Sequence, residues 1–214
     1  EKEEEIASYS TKISGSTSNR LTNIRITCEK LNGTTVNTGE TFSFGEITGP
    51  STAEEGYKEA TMFLDGKEVQ SLGGGNCQVS STLYNAVLDV PDLKVTERHE
   101  HGKKVSYVPD GKDAAVSYGS IDFKFKNNTE APIYIEGSAS GSNVSFTIYG
   151  QETRPSNRTL KFESVTLSTT EPGVQIVADA GQPIGYIVRE SAHKGVVAEL
   201  YKHVYVDGVE QDVI

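Results

Sequence analysis

Gly73-Gly74-Gly75-Asn76-Cys77-Gln78-Val79-Ser80-Ser81-Thr82-Leu83-Tyr84-Asn85-Ala86-Val87-Leu88 is the stretch on which the reading of this 214-residue chain turns. Three glycines let the backbone take tight conformations closed to other residues. Asn76 is a good helix N-cap, so the spacing predicts a helix with Cys77 as its first residue. Val79, Leu83, Ala86 and Val87 then share one face, the expected buried one. A thiol at a helix start meets the positive end of the dipole and unpaired N–H groups, an environment that favours its nucleophilic form. The same N–H groups suit a developing oxyanion, and the glycines admit a substrate closely. The stretch also reads as a tight turn into a core helix, with Cys77 as a small buried hydrophobe. The helix should end near Leu88, with Pro91 just beyond it.

Length and composition bound the rest. The chain suffices for one or two domains with a core. Its net charge is −10 and it has no block of basic residues. That argues against nucleic acid and anionic membrane surfaces as partners. Gly is abundant at 21 residues and Trp is absent; strand-like runs and turn signals favour a β-rich fold. Cys28 and Cys77 make neither a disulfide framework nor a metal-binding pair at short spacing, while a disulfide between them stays open. No apolar run reaches membrane-spanning length. The chain begins with Glu1, so an upstream signal peptide or membrane anchor is expected outside it.

Before the central stretch, the charged residues 1–5 read as a frayed start and 7–13 as an extended segment. A helix is predicted over 19–31, with Leu21, Ile24, Cys28 and Leu31 as its apolar stripe and Asn32-Gly33 as its stop. Cys28 therefore reads as core. Residues 34–36 and 41–44 read as strands, 52–61 as a poor helix broken by Gly56, and 62–70 as a hairpin about Asp65-Gly66.

After it, 93–101 reads as a strand with Leu93, Val95, Glu97, His99 and His101 on one face. Further strands are predicted at 105–108, 115–118 and 121–125. Residues 132–136 and 143–149 form a hairpin around 137–141. The fold class is α+β: two main helices packed on antiparallel strands over residues 1–152, followed by a small all-β module over 153–214. The module carries alternating runs at 159–167, 174–177, 184–188 and 196–206, and a turn at Asp207-Gly208. His193 and His203 read as surface residues.

The chemistry that these residues can build centres on Cys77. A cysteine nucleophile needs an imidazole to take its proton, and a polar group behind that imidazole. His99 and His101 are the candidate bases, with His99 slightly favoured. Asp122, Asp113 or Glu97 is the orienter, with Asp122 favoured, and the Cys77 or Gln78 N–H is the oxyanion donor. A competing reading uses Cys77, His99 and His101 as three zinc ligands with an open position; no cofactor is otherwise implied. A third reading is a non-catalytic, wall-associated binding protein whose glycine loop forms a peptide- or sugar-binding rim.

A resemblance sharpens these alternatives. Asn19-Arg20, Asn23-Ile24, Gly39-Glu40-Thr41-Phe42-Ser43-Phe44, Gly49-Pro50, Gly56-Tyr57 and the central stretch from Gly73 to Ala86 resemble the VanW family. So do Glu97-Arg98-His99, His101, Tyr107-Val108-Pro109, Gly111, Asp113-Ala114-Ala115-Val116 and the run from Asp122 to Asn127. The resemblance covers about residues 8 to 158. It implies a bacterial, Gram-positive, extracytoplasmic protein, tethered by an upstream membrane segment and facing peptidoglycan or another wall component. It names no reaction. The family pattern includes Cys77, Gln78, His99, His101, Asp113 and Asp122, and departs from this chain at Cys28. Gly74, Gly75, Asn76, Ser80 and Asp113 are the expected binding residues of the same cleft. The tail, through Gly181, Gly185, Gly195 and Tyr205-Val206-Asp207-Gly208, is loosely similar to the G-five domain, a small β module of wall-binding proteins. The sequence thus predicts a thiol-dependent acyl-transfer site acting on peptidoglycan peptide, with a non-enzymatic envelope-binding module as the alternative.

Overall fold

The structure, a computed structural model, describes residues 3–64, 67–190 and 192–214. Its elements run β1 (Glu4–Lys12), α1 (Ser18–Leu31), β2 (Thr34–Val36), β3 (Thr41–Ser43), α2 (Phe44–Thr48), β4 (Glu59–Leu64), β5 (Lys67–Leu72), α3 (Asn76–Leu88) and β6 (Leu93–Glu97). They continue with β7 (Lys124–Asn127), β8 (Ile133–Ser140), β9 (Asn143–Gly150), β10 (Arg158–Thr170), β11 (Gly195–Val206) and β12 (Val209–Val213). This is an α+β fold with two main helices on antiparallel strands, followed by a small all-β part.

The central layer is the sheet β1-β9-β8-β2, antiparallel throughout. β9 alternates strictly, burying Val144, Phe146 and Ile148 while its other side chains face outward. That is the period-2 pattern of a sheet covered on one face. Both long helices lie on that face: α1 against β8, and α3 against β1 and β9. Ile24, Cys28 and Leu31 from α1 meet Val79, Leu83, Ala86 and Val87 from α3 in one continuous core. The sheet β3-β7-β6 closes the core with a phenylalanine cluster. Phe42 and Phe125 stack at 4.8 Å, and Phe123 packs against both.

Local physics explains where the elements begin and end. Thr17 caps α1 by accepting the Arg20 N–H, and Asn32 and Gly33 (φ +87°) end it. Ser43 caps α2 by accepting the Glu46 N–H, so Phe44 starts a helix rather than finishing a strand as expected. The poor helix expected over 52–61 is instead a turn at 53–56 followed by β4; Gly56 at φ +94° breaks it. Glu4 and Glu5, expected to fray, pair with Gly150 and Tyr149 on an edge strand. β4 and β5 do form a hairpin; its expected Asp65-Gly66 turn lies outside the described residues, as do Glu1 and Lys2. The β8–β9 strands run through 137–140, where a loop was expected. Gly137 is a strand residue because a Cβ there would stand 2.6 Å from the Phe146 ring, which covers it.

The largest departure lies between β6 and β7. The strand expected over 93–101 stops at Glu97, after a register shift between Val95 and Glu97. Residues 98–123 form an irregular excursion with one isolated bridge, Ser117 to Ile121, in place of the strands expected at 105–108 and 115–118. In the tail, β10 pairs directly with β11, and the alternating runs at 174–177 and 184–188 lie in the connection between them. Asp207 and Gly208, both at positive φ, turn β11 into β12 as expected. The tail leans on the excursion: Ser164 bonds the Asp110 carbonyl, and the Lys112 ammonium sits 4.2 Å from the Phe162 ring centre. No helix among the described residues is long and apolar enough to cross a membrane.

Candidate functional site

The glycine loop joins β5 to α3 and is clamped on every side. A Cβ on Gly74 would stand 2.7 Å from the Ala60 carbonyl oxygen, so β4 passes directly over it. Gly75 is the N-cap of α3 at φ +113°, with Ile24 and Arg20 of α1 packed against it. The helix therefore begins at Asn76, one residue earlier than the cap reading placed it. Asn76 uses its side chain elsewhere: its amide donates to Ser51 Oγ at 2.9 Å, and its carbonyl accepts from Thr27 Oγ1 at 2.7 Å. Buried Asn23 donates to the Gly74 and Lys58 carbonyls. These bonds fix the backbone that presents Cys77.

Cys77 is partly buried and its thiol donates to the Val116 carbonyl at 3.4 Å. Its N–H finds no acceptor among the described residues, as befits the first turn of a helix. The neighbouring Gln78 N–H, the other expected oxyanion donor, bonds the Gly75 carbonyl at 3.1 Å. The Gln78 side chain is buried and points away, donating to Thr11 Oγ1 and the Lys12 carbonyl of β1. Ser80 is likewise buried, bonded to the Cys77 and Ala114 carbonyls. Both residues anchor the helix rather than line the opening.

His101 faces Cys77. Its ring is near enough to the Cys77 side chain to feel its charge, and its Nδ1 lies 2.6 Å from Asp113 Oδ2. The same carboxylate oxygen accepts the His101 backbone N–H at 2.8 Å. Asp113 Oδ1 accepts from Arg98 Nη2 at 2.8 Å, while Arg98 Nε donates to the Asp113 carbonyl at 2.7 Å. Tyr107 completes the pocket, its hydroxyl 3.4 Å from His101 Nε2. Burial pulls the imidazole pKa down, but the bonds to Asp113 and Cys77 and their charges outweigh it and lift His101 to about 9. Burial raises Asp113, and the bonds from His101 together with the charges of His101 and Arg98 bring it below the usual carboxylate range. Burial pushes the Tyr107 phenol far up, so it stays a neutral hydroxyl. Thiol, imidazole and carboxylate thus form a relay at the mouth of a helix.

His99 and Asp122 lie outside that relay. With the strand ended at Glu97, His99 and His101 no longer share a face. His99 is half-buried and bonds Glu97 Oε1 at 3.0 Å. Asp122 accepts from Ser43 Oγ and from the Gly45 and Phe123 N–H groups, fixing the β3–α2 corner. Glu97 holds His99, Lys124 and the Asp122 N–H. Among the described residues no group of three His, Cys, Asp or Glu side chains converges as metal ligands would. The zinc reading of Cys77, His99 and His101 loses its third ligand because His99 turns to Glu97.

The relay opens onto a cleft of about 490 Å³, within the range of small-molecule sites. Cys77, His101 and Tyr107 form one wall; the Gly49-Pro50-Ser51 loop and residues of the β4–β5 hairpin form others. Three residues at this site carried no role in the sequence reading: Arg98, Tyr107 and Arg20. Each stands within a motif of the family resemblance, and that was the signal available for them. Cys28 sits at the other extreme, buried in the core, its thiol pushed up to about 12 by burial and by the charge of Glu29.

Comparison with known proteins places these residues in context. The chain is 38% identical over 149 residues to the Bacillus subtilis protein YoaR, covering 70% of this chain and 49% of that protein. It is 33% identical over 122 residues to the vancomycin B-type resistance protein VanW of Enterococcus faecalis, covering 55% of this chain and 44% of that one. The chain therefore spans about half the length of the curated relatives it matches. No solved structure matches it. The family described as VanW like protein matches residues 19–149, a span that holds the whole relay and stops before the β10–β12 sheet, and the chain belongs to that family.

Proposed function

We propose that the cleft is a thiol-dependent acyl-transfer site in which Cys77 is the nucleophile, His101 the general base and Asp113 the orienter. The observation that carries this is the single file of Cys77, His101 and Asp113, locked from behind by Arg98. Asp113 on Nδ1 leaves Nε2 for the thiol proton. Lifted to about 9, His101 already holds that proton on Nε2 as the imidazolium near neutral pH, and Sγ attacks a peptide carbonyl carbon. The oxyanion accepts the Cys77 N–H. The C–N bond breaks as the imidazolium returns the proton to the leaving amine. Water or a second amine then attacks the thioester, His101 takes its proton, and the thiol is regenerated with a carboxylate or a new amide as product.

The substrate in this proposal is peptidoglycan peptide, and the setting is the outer face of a Gram-positive envelope with an upstream anchor. The family resemblance and the resistance named in the Enterococcus faecalis relative support both. The β10–β12 part, loosely G-five-like, serves as a wall contact. One contact favours the alternative, an envelope-binding module with a structural cysteine: the Cys77 thiol already donates to Val116.

The test follows alkylation of Cys77 against pH in a Cys28→Ala background, with His99→Ala and His101→Ala alongside, and LC-MS of muropeptides incubated with wild type and Cys77→Ser. The proposal expects His101→Ala to change the alkylation profile, His99→Ala to leave it, and muropeptide turnover that requires Cys77. A thiol indifferent to both histidines and no turnover would hand the cleft to the binding reading.

A further inference from the structure

We infer that Arg20 is a carboxylate-binding residue of this cleft, so that the substrate is a peptide carrying a free carboxylate close to the bond that Cys77 attacks. The inference rests on the acyl-transfer reading and deepens it. The whole chain carries a net charge of −10, yet the described residues that line the cleft include no Asp, Glu or Lys. Arg20 and His101 are the residues there that carry positive charge. An acidic protein has thus lined one concave surface with cationic groups alone.

Arg20 is half-buried and makes no ion pair with an Asp or Glu among the described residues; the ionisable groups that act on it are Tyr107 and Cys77. Among the described residues its guanidinium makes one hydrogen bond, from Nη1 to Ser16 Oγ at 3.1 Å, which leaves most of its donors for a ligand. The contrast with Arg98 is direct. That guanidinium is spent on Asp113 and stacks over Tyr84, as a structural arginine does. Arg20 is held in place by packing instead: its Cγ would lie 3.2 Å from a Cβ on Gly75, two residues before Cys77. Glycine at 75 is what lets this stem approach the start of α3. A planar, unpaired guanidinium in a partly desolvated cleft is matched to a carboxylate, which it can grip with two bonds.

The test needs two pairs of probes that differ only in charge. The first is iodoacetate against iodoacetamide, reacting with Cys77 in the Cys28→Ala chain, each rate normalised to N-acetylcysteine. A guided carboxylate should raise the normalised iodoacetate-to-iodoacetamide ratio about tenfold, the scale of a charge-assisted hydrogen bond. Arg20→Gln should return the ratio to near one, and Arg20→Lys should keep part of it. A ratio near one in the wild type, or equal slowing of both reagents in Arg20→Gln, overturns the inference, since the guanidinium would then serve only the thiol. The second pair is N-acetylglycylglycine against its amide, titrated by NMR into the Cys77→Ala chain. The acid should bind at least several-fold tighter, and Arg20→Gln should erase the difference; equal binding, or none, overturns the inference. If the thiol reacts with neither reagent, the acyl-transfer reading falls, and the second pair still decides Arg20.

Discussion

Replacing Asp113 by Asn is the perturbation that asks most of this site. Asn has the same shape and can still accept from His101 Nδ1, but it removes the charge that holds the imidazolium. His101 is lifted from 6.5 to about 9 in the folded chain, and its side chain is 10% exposed, so solvent screens the pair little. The folded value lies above the unfolded one. The stability it supplies is therefore fully present below pH about 6.5 and is lost as pH rises through about 9. A shift of this size corresponds to about 3 kcal/mol. The wild type should lose about that much folding stability from this group between about pH 6 and about pH 10. Asp113→Asn leaves only the bond and charge of Cys77 to oppose burial, so the variant should decline by only about 1 kcal/mol over the same range. The gap between the two proteins should be about 3 kcal/mol at about pH 6 and shrink to about 1 kcal/mol at about pH 10, where the bonds lost to Arg98 still count. Urea unfolding followed by far-UV circular dichroism at both pH values measures it, and the difference between variants cancels groups common to both. A gap that stays constant over this range would refute the charged pair.

Other expectations follow from single residues. One thiol, Cys77, should titrate with Ellman's reagent in the native chain and two after denaturation, because Cys28 is buried with its thiol pushed up to about 12; two fast native thiols would contradict the core placement. Gly75→Ala should cost about 2 kcal/mol or more in urea unfolding, since it combines φ +113° with a methyl 3.0 Å from Ile24 Cγ1. Gly15→Ala, at φ +84° in open space, should cost about 1 kcal/mol, and equal costs would remove the packing argument. Asp122→Asn should lower stability by about 1–2 kcal/mol through its bonds to Ser43, Gly45 and Phe123, and leave the Cys77 alkylation profile as in the wild type; a changed profile would restore Asp122 to the site.

The two long helices were legible because their apolar residues recur at helical spacing and their stops are chemically plain. What periodicity could not convey is that α3 is buried on nearly every side. Ser80, Ser81, Thr82 and Asn85 are as buried as Val79 and Leu83. They are accommodated because Ser81 exchanges bonds with Ala114, Asn85 reaches the Lys112 carbonyl, and Thr82 meets Thr11. Those partners lie far along the chain, and no local pattern announces them. The same limit explains the hairpin at 137–141. Glycine and serine read as a turn, but the Phe146 ring across the sheet makes Gly137 a strand residue.

The error over the histidines has the same origin, and it shows how the site is made. Alternation from Leu93 to His101 is a sound strand signal, and on a strand His99 and His101 would be equivalent. The ladder ends at Glu97 because the residues beyond it have better partners than a neighbouring strand. Arg98 and the His101 N–H go to Asp113, and the His99 carbonyl accepts the Ala115 N–H. An irregular backbone at the edge of a core must satisfy its polar groups one by one, and here Asp113 does so for the very residue it orients. Folding of the excursion and placement of the imidazole against Cys77 are therefore one event. Loss of reactivity in an Asp113 variant, taken alone, would not separate the two roles. The pH slope of stability does, because a carboxylate that merely tied down the loop would leave His101 to titrate at its ordinary value.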